Sequence, residues 1–305
     1  MRWDDFRRSE NVEDDRGGGG FGGGGGGIGL PGGGLGIGTI IILGLVGWAL
    51  GIDPRLLIGG AEILQGGQQQ YQQPAQPRTS RNTPPSDQTG DFLAAVLGDT
   101  EDTWGQIFGE AGQTYSRPKL RLFSGAEQTP CAYAQSAMGP FYCPLDQRVY
   151  LDTSFFNDMQ RRFRACDSDK ACKFSEAYVV AHEVGHHVQN LLGILPKVQQ
   201  AQRAAGDKVT ANQLQVRTEL QADCLAGVWA NRSNKKHQFL DPGDVDQALQ
   251  TAAAIGDDRL QRQTRGYVVP DSFTHGSSEQ RKRWFMTGFQ QGTVQACNTF
   301  NAAQI

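Results

Sequence analysis

The sequence predicts an α+β protein, a mainly helical domain with a small β-sheet, preceded by a single transmembrane helix. Three observations carry this reading. Short alternating segments between residues 119 and 151 read as strands, and longer segments with helical apolar spacing follow them. Asp91 to Ile305 supplies about 215 residues, ample for one core. Leu35 to Ile52 runs 18 residues without a charge.

The elements follow in chain order. Residues 1–34 are expected to be a disordered cytoplasmic tail ending in a glycine-rich tract. Residues 1–16 hold four arginines and six acids with little to bury. Many of the chain's 40 glycines fall in the tract, which cannot build a core. The apolar run that follows would rise about 27 Å as a helix, close to the roughly 30 Å hydrocarbon core. Residues 35–55 are therefore expected to be an uncleaved signal anchor. The run starts far from Met1, and no small-x-small cleavage site follows it. Arg2, Arg7, Arg8 and Arg16 precede it, while Arg55 alone follows closely. The positive-inside rule then keeps the N-terminus cytoplasmic and sends the rest to the extracytoplasmic (periplasmic) side. Gly34/Gly38 and Gly47/Gly51 offer a route to a homodimer through the span, although the glycine-rich composition alone accounts for them. Residues 56–90, rich in Gln, Pro, Ser and Thr, read as a linker.

In the folded part, residues 91–305, Phe92, Leu93, Val96, Leu97, Trp104, Ile107 and Phe108 mark an opening helix. Lys119 to Phe123 alternates as a strand. Cys131 to Ala137, Phe141 to Cys143 and Arg148 to Leu151 read as a short β-region. Phe155 to Cys166, Ser175 to Leu192 and Leu214 to Ala230 read as helices. Asp241-Pro242-Gly243-Asp244 starts another, running to about Ala254. Ser277 or Ser278 caps a last helix through Phe289. The formal net charge is -3 with no basic stripe, so nucleic acid is not expected as a partner.

The chemistry concentrates in His182-Glu183-Val184-Gly185-His186. On a helix, His182 and His186 share one face about 5–6 Å apart and can hold one zinc ion. Glu183 lies about 100° around the helix, free to act as a base beside an open metal position. Glu219 and Asp223 are again four apart, on the Leu214–Ala230 helix. Ala222, Leu225, Ala226 and Trp229 flank them, so the helix reads as buried, and buried carboxylates need partners. Glu219 fits as third ligand, and Asp223 as acceptor of a ligand histidine's second N–H. His187 points away and is read as a packing or supporting residue, while His237 is placed in an exposed loop.

Six cysteines, Cys131, Cys143, Cys166, Cys172, Cys224 and Cys297, all follow the apolar run. Six allow fifteen pairings. Local spacing favours Cys131–Cys143 and Cys166–Cys172, leaving Cys224–Cys297; free buried thiols are the alternative in a reducing compartment.

These pieces together resemble the bacterial, membrane-anchored neutral zinc metallopeptidases. The resemblance rests on Arg7 to Gly17, Gly139-Pro140-Phe141-Tyr142-Cys143-Pro144 and Val149 to Asp152. It continues through Ala181 to Gln189, Glu219 to Cys224 and His275-Gly276-Ser277-Ser278-Glu279-Gln280-Arg281. It implies a zincin-like fold and peptidase activity. The stretch around His275 is also distantly similar to the Thr-His-Pro segment of CAAX-type prenyl endopeptidases, with Gly276 in place of Pro. That similarity makes His275 a candidate transition-state stabiliser or anchor for a supporting acid, against a plain capping role. Tyr142 and Arg148 are further candidates.

The sequence thus predicts a membrane-anchored zinc endopeptidase with one Zn²⁺ per chain held by His182, His186 and Glu219. Glu183 is the general base, Asp223 the support, a protein or peptide the substrate, and the bilayer a partner through one span. Ala134 to Cys143 is the candidate edge for an extended peptide, with an ordinary core hairpin as the alternative. The competing function is a non-catalytic, zinc-containing binding or scaffold protein on the same fold, which the intact Glu183 argues against.

Overall fold

A computed structural model describes residues 1–17, 85–161, 165–166 and 169–305. The expected span at Leu35–Ile52, its glycine pairs and nearly all of the linker lie outside these residues. Among the described residues no helix is long and apolar enough to cross a membrane.

The fold is mixed and mainly helical, with eight α-helices among the described residues and two small sheets. Strand β1 is Val12–Asp14, β2 Lys119–Phe123, β3 Ala126–Gln128, β4 Tyr133–Gln135, β5 Phe141–Cys143 and β6 Arg148–Asp152. Helix α1 is Gln88–Glu110, α2 Ser154–Arg161, α3 Asp169–Leu191 and α4 Ile194–Ala204. Helix α5 is Lys208–His237, α6 Asp244–Ala254, α7 Asp257–Arg265 and α8 Ser278–Gln291. The main sheet runs β1-β2-β6-β5; β1, β2 and β6 are parallel, and β5 returns antiparallel to β6. Leu120, Leu122, Val149 and Leu151 are buried in this sheet and join the helical core. Strands β3 and β4 form a separate antiparallel pair.

Residues 1–17 correct the expectation of disorder. Met1, Phe6 and Val12 are buried, and β1 pairs with β2 in register Val12↔Leu120. The charges that read as solvated are paired. Arg7 reaches Glu101 and Asp102, Arg8 grips Asp91 through two nitrogens, and Arg16 bridges Asp14 and Asp87. Composition counts charges without seeing partners far along the chain.

Asp87 caps α1 by accepting from the Gly90 N–H, so the helix opens three residues before Asp91. Helix α5, 30 residues long, starts earlier than expected because Asp207 caps it at Thr210 N–H. Lys235, Lys236 and His237 fill its last turn, where cations favour the helix dipole. His237 therefore ends this helix, 3.4 Å from Asp99, and does not lie in an exposed loop. In α8, Ser277 and Gln280 form a capping box.

Three disulfides pair Cys131–Cys143, Cys166–Cys172 and Cys224–Cys297. Their sequence separations are 12, 6 and 73. Loop-entropy reasoning makes the longest the most stabilising, about 4 kcal/mol against about 2–3 for each of the others. Guanidinium unfolding of the three double Cys→Ala variants should rank them in that order. A Cys224/Cys297 variant as stable as wild type would contradict it.

Candidate metal centre

Helix α3 is apolar at helical spacing, with Val180, Val184 and Val188 all buried. It also buries His182, Glu183, His187 and Gln189. A buried polar side chain needs a partner, and α5 supplies most of them. The two helices cross closely where Gly185 faces Ala222. A Cβ at Gly185 would lie 3.0 Å from the Ala222 carbonyl oxygen and 3.2 Å from its Cα. That contact brings Glu219 and Asp223 beside the motif histidines.

Glu219 Oε2 lies 3.2 Å from His182 Nε2 and 3.3 Å from His186 Nε2. One donor atom from each of the three residues falls within 4.8 Å of the others. Tetrahedral zinc with bonds of about 2.0–2.1 Å would separate its ligand atoms by about 3.3 Å. The two Glu219–histidine distances fit that spacing.

The outer nitrogens agree. His182 Nδ1 lies 2.8 Å from Asp223 Oδ1. His186 Nδ1 lies 2.8 Å from Gln189 Oε1. Gln189 donates its amide to the Thr218 carbonyl and to Gln221, which leaves its oxygen for His186. Both Nδ1 atoms thus face acceptors that hold a proton there, which leaves each Nε2, the atom facing Glu219, as the one a metal would take. The other Glu219 oxygen accepts from Gln215 at 2.7 Å.

Asp223 is fully buried and fully engaged. It accepts from Tyr178 Oη at 2.5 Å and from Arg281 through two nitrogens at 2.8 and 2.9 Å. Burial alone would push its pKa up, but Arg281 and His182 hold it far below the usual carboxylate range. Burial alone would push His182 down. Asp223, with help from Glu219 and Glu183, instead raises it to about 10 without metal. Burial also opposes charge on Glu219, yet His186 and His182 keep its pKa well below the ordinary value. A divalent ion must therefore displace the proton that His182 holds at Nε2 against Glu219.

The profile of the family described as "Putative neutral zinc metallopeptidase" matches residues 1–300. This chain belongs to that family. A protein of Escherichia coli K12 named "Uncharacterized protein YpfJ" is 48% identical over 303 residues, covering 98% of this chain and 99% of its own length. A protein of Mycobacterium tuberculosis H37Rv named "Uncharacterized protein Rv2575" is 49% identical over 201 residues, 63% of this chain and 65% of that one. No solved structure matches. The family name implies zinc, and the His/His/Glu donor set suits it.

The other residues singled out in the sequence of this family member fall in different places. Glu183 is buried next to His182, close enough for its charge to act on both imidazoles. His275 sits in a loop held by Asp257, whose Oδ2 accepts the N–H groups of Thr274, His275 and Gly276 at 2.7, 2.6 and 3.0 Å. Asp257 Oδ1 lies 3.4 Å from His275 Nδ1. A Cβ on Gly276 would lie 3.1 Å from Leu220, the neighbour of Glu219, so this loop runs over α5 beside the site. The His275 side chain is 51% exposed.

His187 turns away from the donor set. Its Nε2 donates to the Ser116 carbonyl at 2.6 Å, and its Nδ1 accepts from Tyr142 Oη at 2.9 Å. Burial keeps its pKa below the ordinary value. Tyr142 also accepts from Asn190, so it fastens β5 to α3. Arg148 is taken up by Glu13 and Asp146. Sequence reasoning missed the roles of Arg281, Tyr178, Gln189 and Asp257. Arg281 stood in a quoted motif, and a cation on a helix that buries Trp284 and Phe285 was the available signal.

Proposed function

We propose that this protein is a zinc-dependent endopeptidase with its site at His182, His186 and Glu219. The observation that carries the reading is the pair of 3.2 and 3.3 Å distances between Glu219 and imidazoles whose outer nitrogens are already committed. Bound there, zinc would supply a Lewis acid that polarises the scissile carbonyl and makes water a better nucleophile.

The chain's own residues do the rest. Glu183 Oε takes the proton of the attacking water and returns it to the leaving amine nitrogen as the C–N bond breaks. Asp223 fixes His182 in one tautomer and one ring orientation, as Gln189 does for His186. In this reading His275, whose ring Asp257 contacts at 3.4 Å, would donate to the carbonyl oxygen as it gains charge. Strand β5 pairs only with β6 among the described strands, and it lies against α3 through Tyr142. Its outer edge offers backbone pairing to an extended peptide, the simplest way to present a scissile bond beside Glu183. Three disulfides favour an oxidising, extracytoplasmic compartment for the domain.

Elemental analysis of the purified full chain tests the centre. The expected content is about one zinc per chain, lost on Glu219→Ala. Full zinc affinity in that variant would remove Glu219 from the ligand set.

A further inference from the structure

The domain is built around its own first residues, and this constrains topology. Glu101 on α1 has a fully buried side chain. Residues from the far end of the sequence satisfy it: Arg7 Nη2 at 2.6 Å, Ser9 Oγ at 2.7 Å and Asn11 Nδ2 at 2.6 Å. An unpartnered buried carboxylate is costly, so α1 is written for this segment. Gly98 agrees. A Cβ there would meet the Arg7 carbonyl oxygen at 2.0 Å, so only glycine admits the chain. The Ser9 N–H also donates to the Ala94 carbonyl. Further along, β1 pairs with β2 in parallel, and Glu13, itself buried, receives Lys119 at 2.7 Å and Arg148 at 3.4 Å. Backbone pairing, apolar burial and ion pairs thus agree along the segment, from Phe6 to Arg16.

We infer that residues 1–17 and the domain from residue 85 onward lie in the same compartment, on one face of any membrane the protein meets. A single crossing between residues 17 and 85 would put β1 and β2 on opposite sides of a bilayer, where they cannot pair. Exchange of the segment between copies does not relieve this. Every copy inserted the same way would hold its first residues on the same wrong side. The positive-inside count behind the opposite expectation treats Arg7, Arg8 and Arg16 as free cations. In the fold they are partners of Glu101, Asp102, Asp91, Asp14 and Asp87. With the domain in an oxidising compartment, the N-terminal segment lies there too. The inference does not depend on peptidase activity.

Sidedness labelling of the full-length chain in membranes tests it. Glu10 and Asn301 are exposed, one in the segment and one in the domain. Glu10→Cys and Asn301→Cys chains, produced in Escherichia coli, are treated with a membrane-impermeant maleimide as spheroplasts and as inverted vesicles. Peptide mass spectrometry reads positions 10 and 301 separately from the native cysteines. Labelling of both positions from the same face, whichever face that is, is the expected result. Position 10 labelled only in inverted vesicles and position 301 only in spheroplasts would overturn the inference. So would the reverse pattern.

Discussion

Replacing Glu183 with Gln lowers peptide hydrolysis by about 10²–10⁴-fold and leaves zinc content unchanged. Gln keeps the size and the buried position of the side chain, so α3 and its contacts persist. It cannot accept the water proton, and the step that builds the nucleophile loses its base. The three donor atoms come from His182, His186 and Glu219, so the metal stays. The measurement is turnover of any peptide that wild type cleaves, beside zinc per chain for both proteins. Unchanged turnover would take Glu183 out of the mechanism. Loss of zinc together with turnover would make Glu183 a structural residue of the centre.

Much of this centre was legible in the sequence because its logic is local. His182 and His186 share a helical face by spacing alone, and so do Glu219 and Asp223. Their meeting needs only that two helices cross, which Gly185 against Ala222 allows. Strand β2 and the start of α6 at Asp244 were equally local, set by alternation and by a turn before a helix. Helices α4 and α7 were not legible. Helix α4 buries only Val198, and α7 buries Asp257 and Gln261, so neither carries an apolar period. The residues that hold the centre in place were hidden for another reason. Arg281 is 58 residues from Asp223, and in the N-terminal segment Arg7 is 94 from Glu101. Charge pairs at such separations are set by the tertiary fold and leave no spacing to read. The N-terminal segment misled for the same reason, since its arginines look solvated until their partners are seen.

Replacing Arg281 with Met destabilises the metal-free protein by about 3–5 kcal/mol at neutral pH. Asp223 is fully buried, and Arg281 gives it two charge-assisted hydrogen bonds. Without them the carboxylate keeps Tyr178 and His182 but loses its nearest permanent cation. Arg281→Lys restores part of the stability, because an ammonium supplies the charge but not the planar fork. The pH dependence gives an independent reading. Asp223 has a folded pKa held below its unfolded value of about 3.9, so its stabilisation is present above that value. It is lost as pH falls through the folded pKa. Arg281→Met raises the folded pKa toward the unfolded value, so the variant loses less stability on acidification than wild type does. Denaturant unfolding from about pH 3 to pH 7 should show the offset at neutral pH and its narrowing as the pH falls below about 4. Zinc affinity should also fall by about 10–100-fold, because a less firmly held Asp223 no longer fixes His182. Equal stability and equal zinc affinity in Arg281→Met and wild type would show that Asp223 is held by Tyr178 and His182 alone.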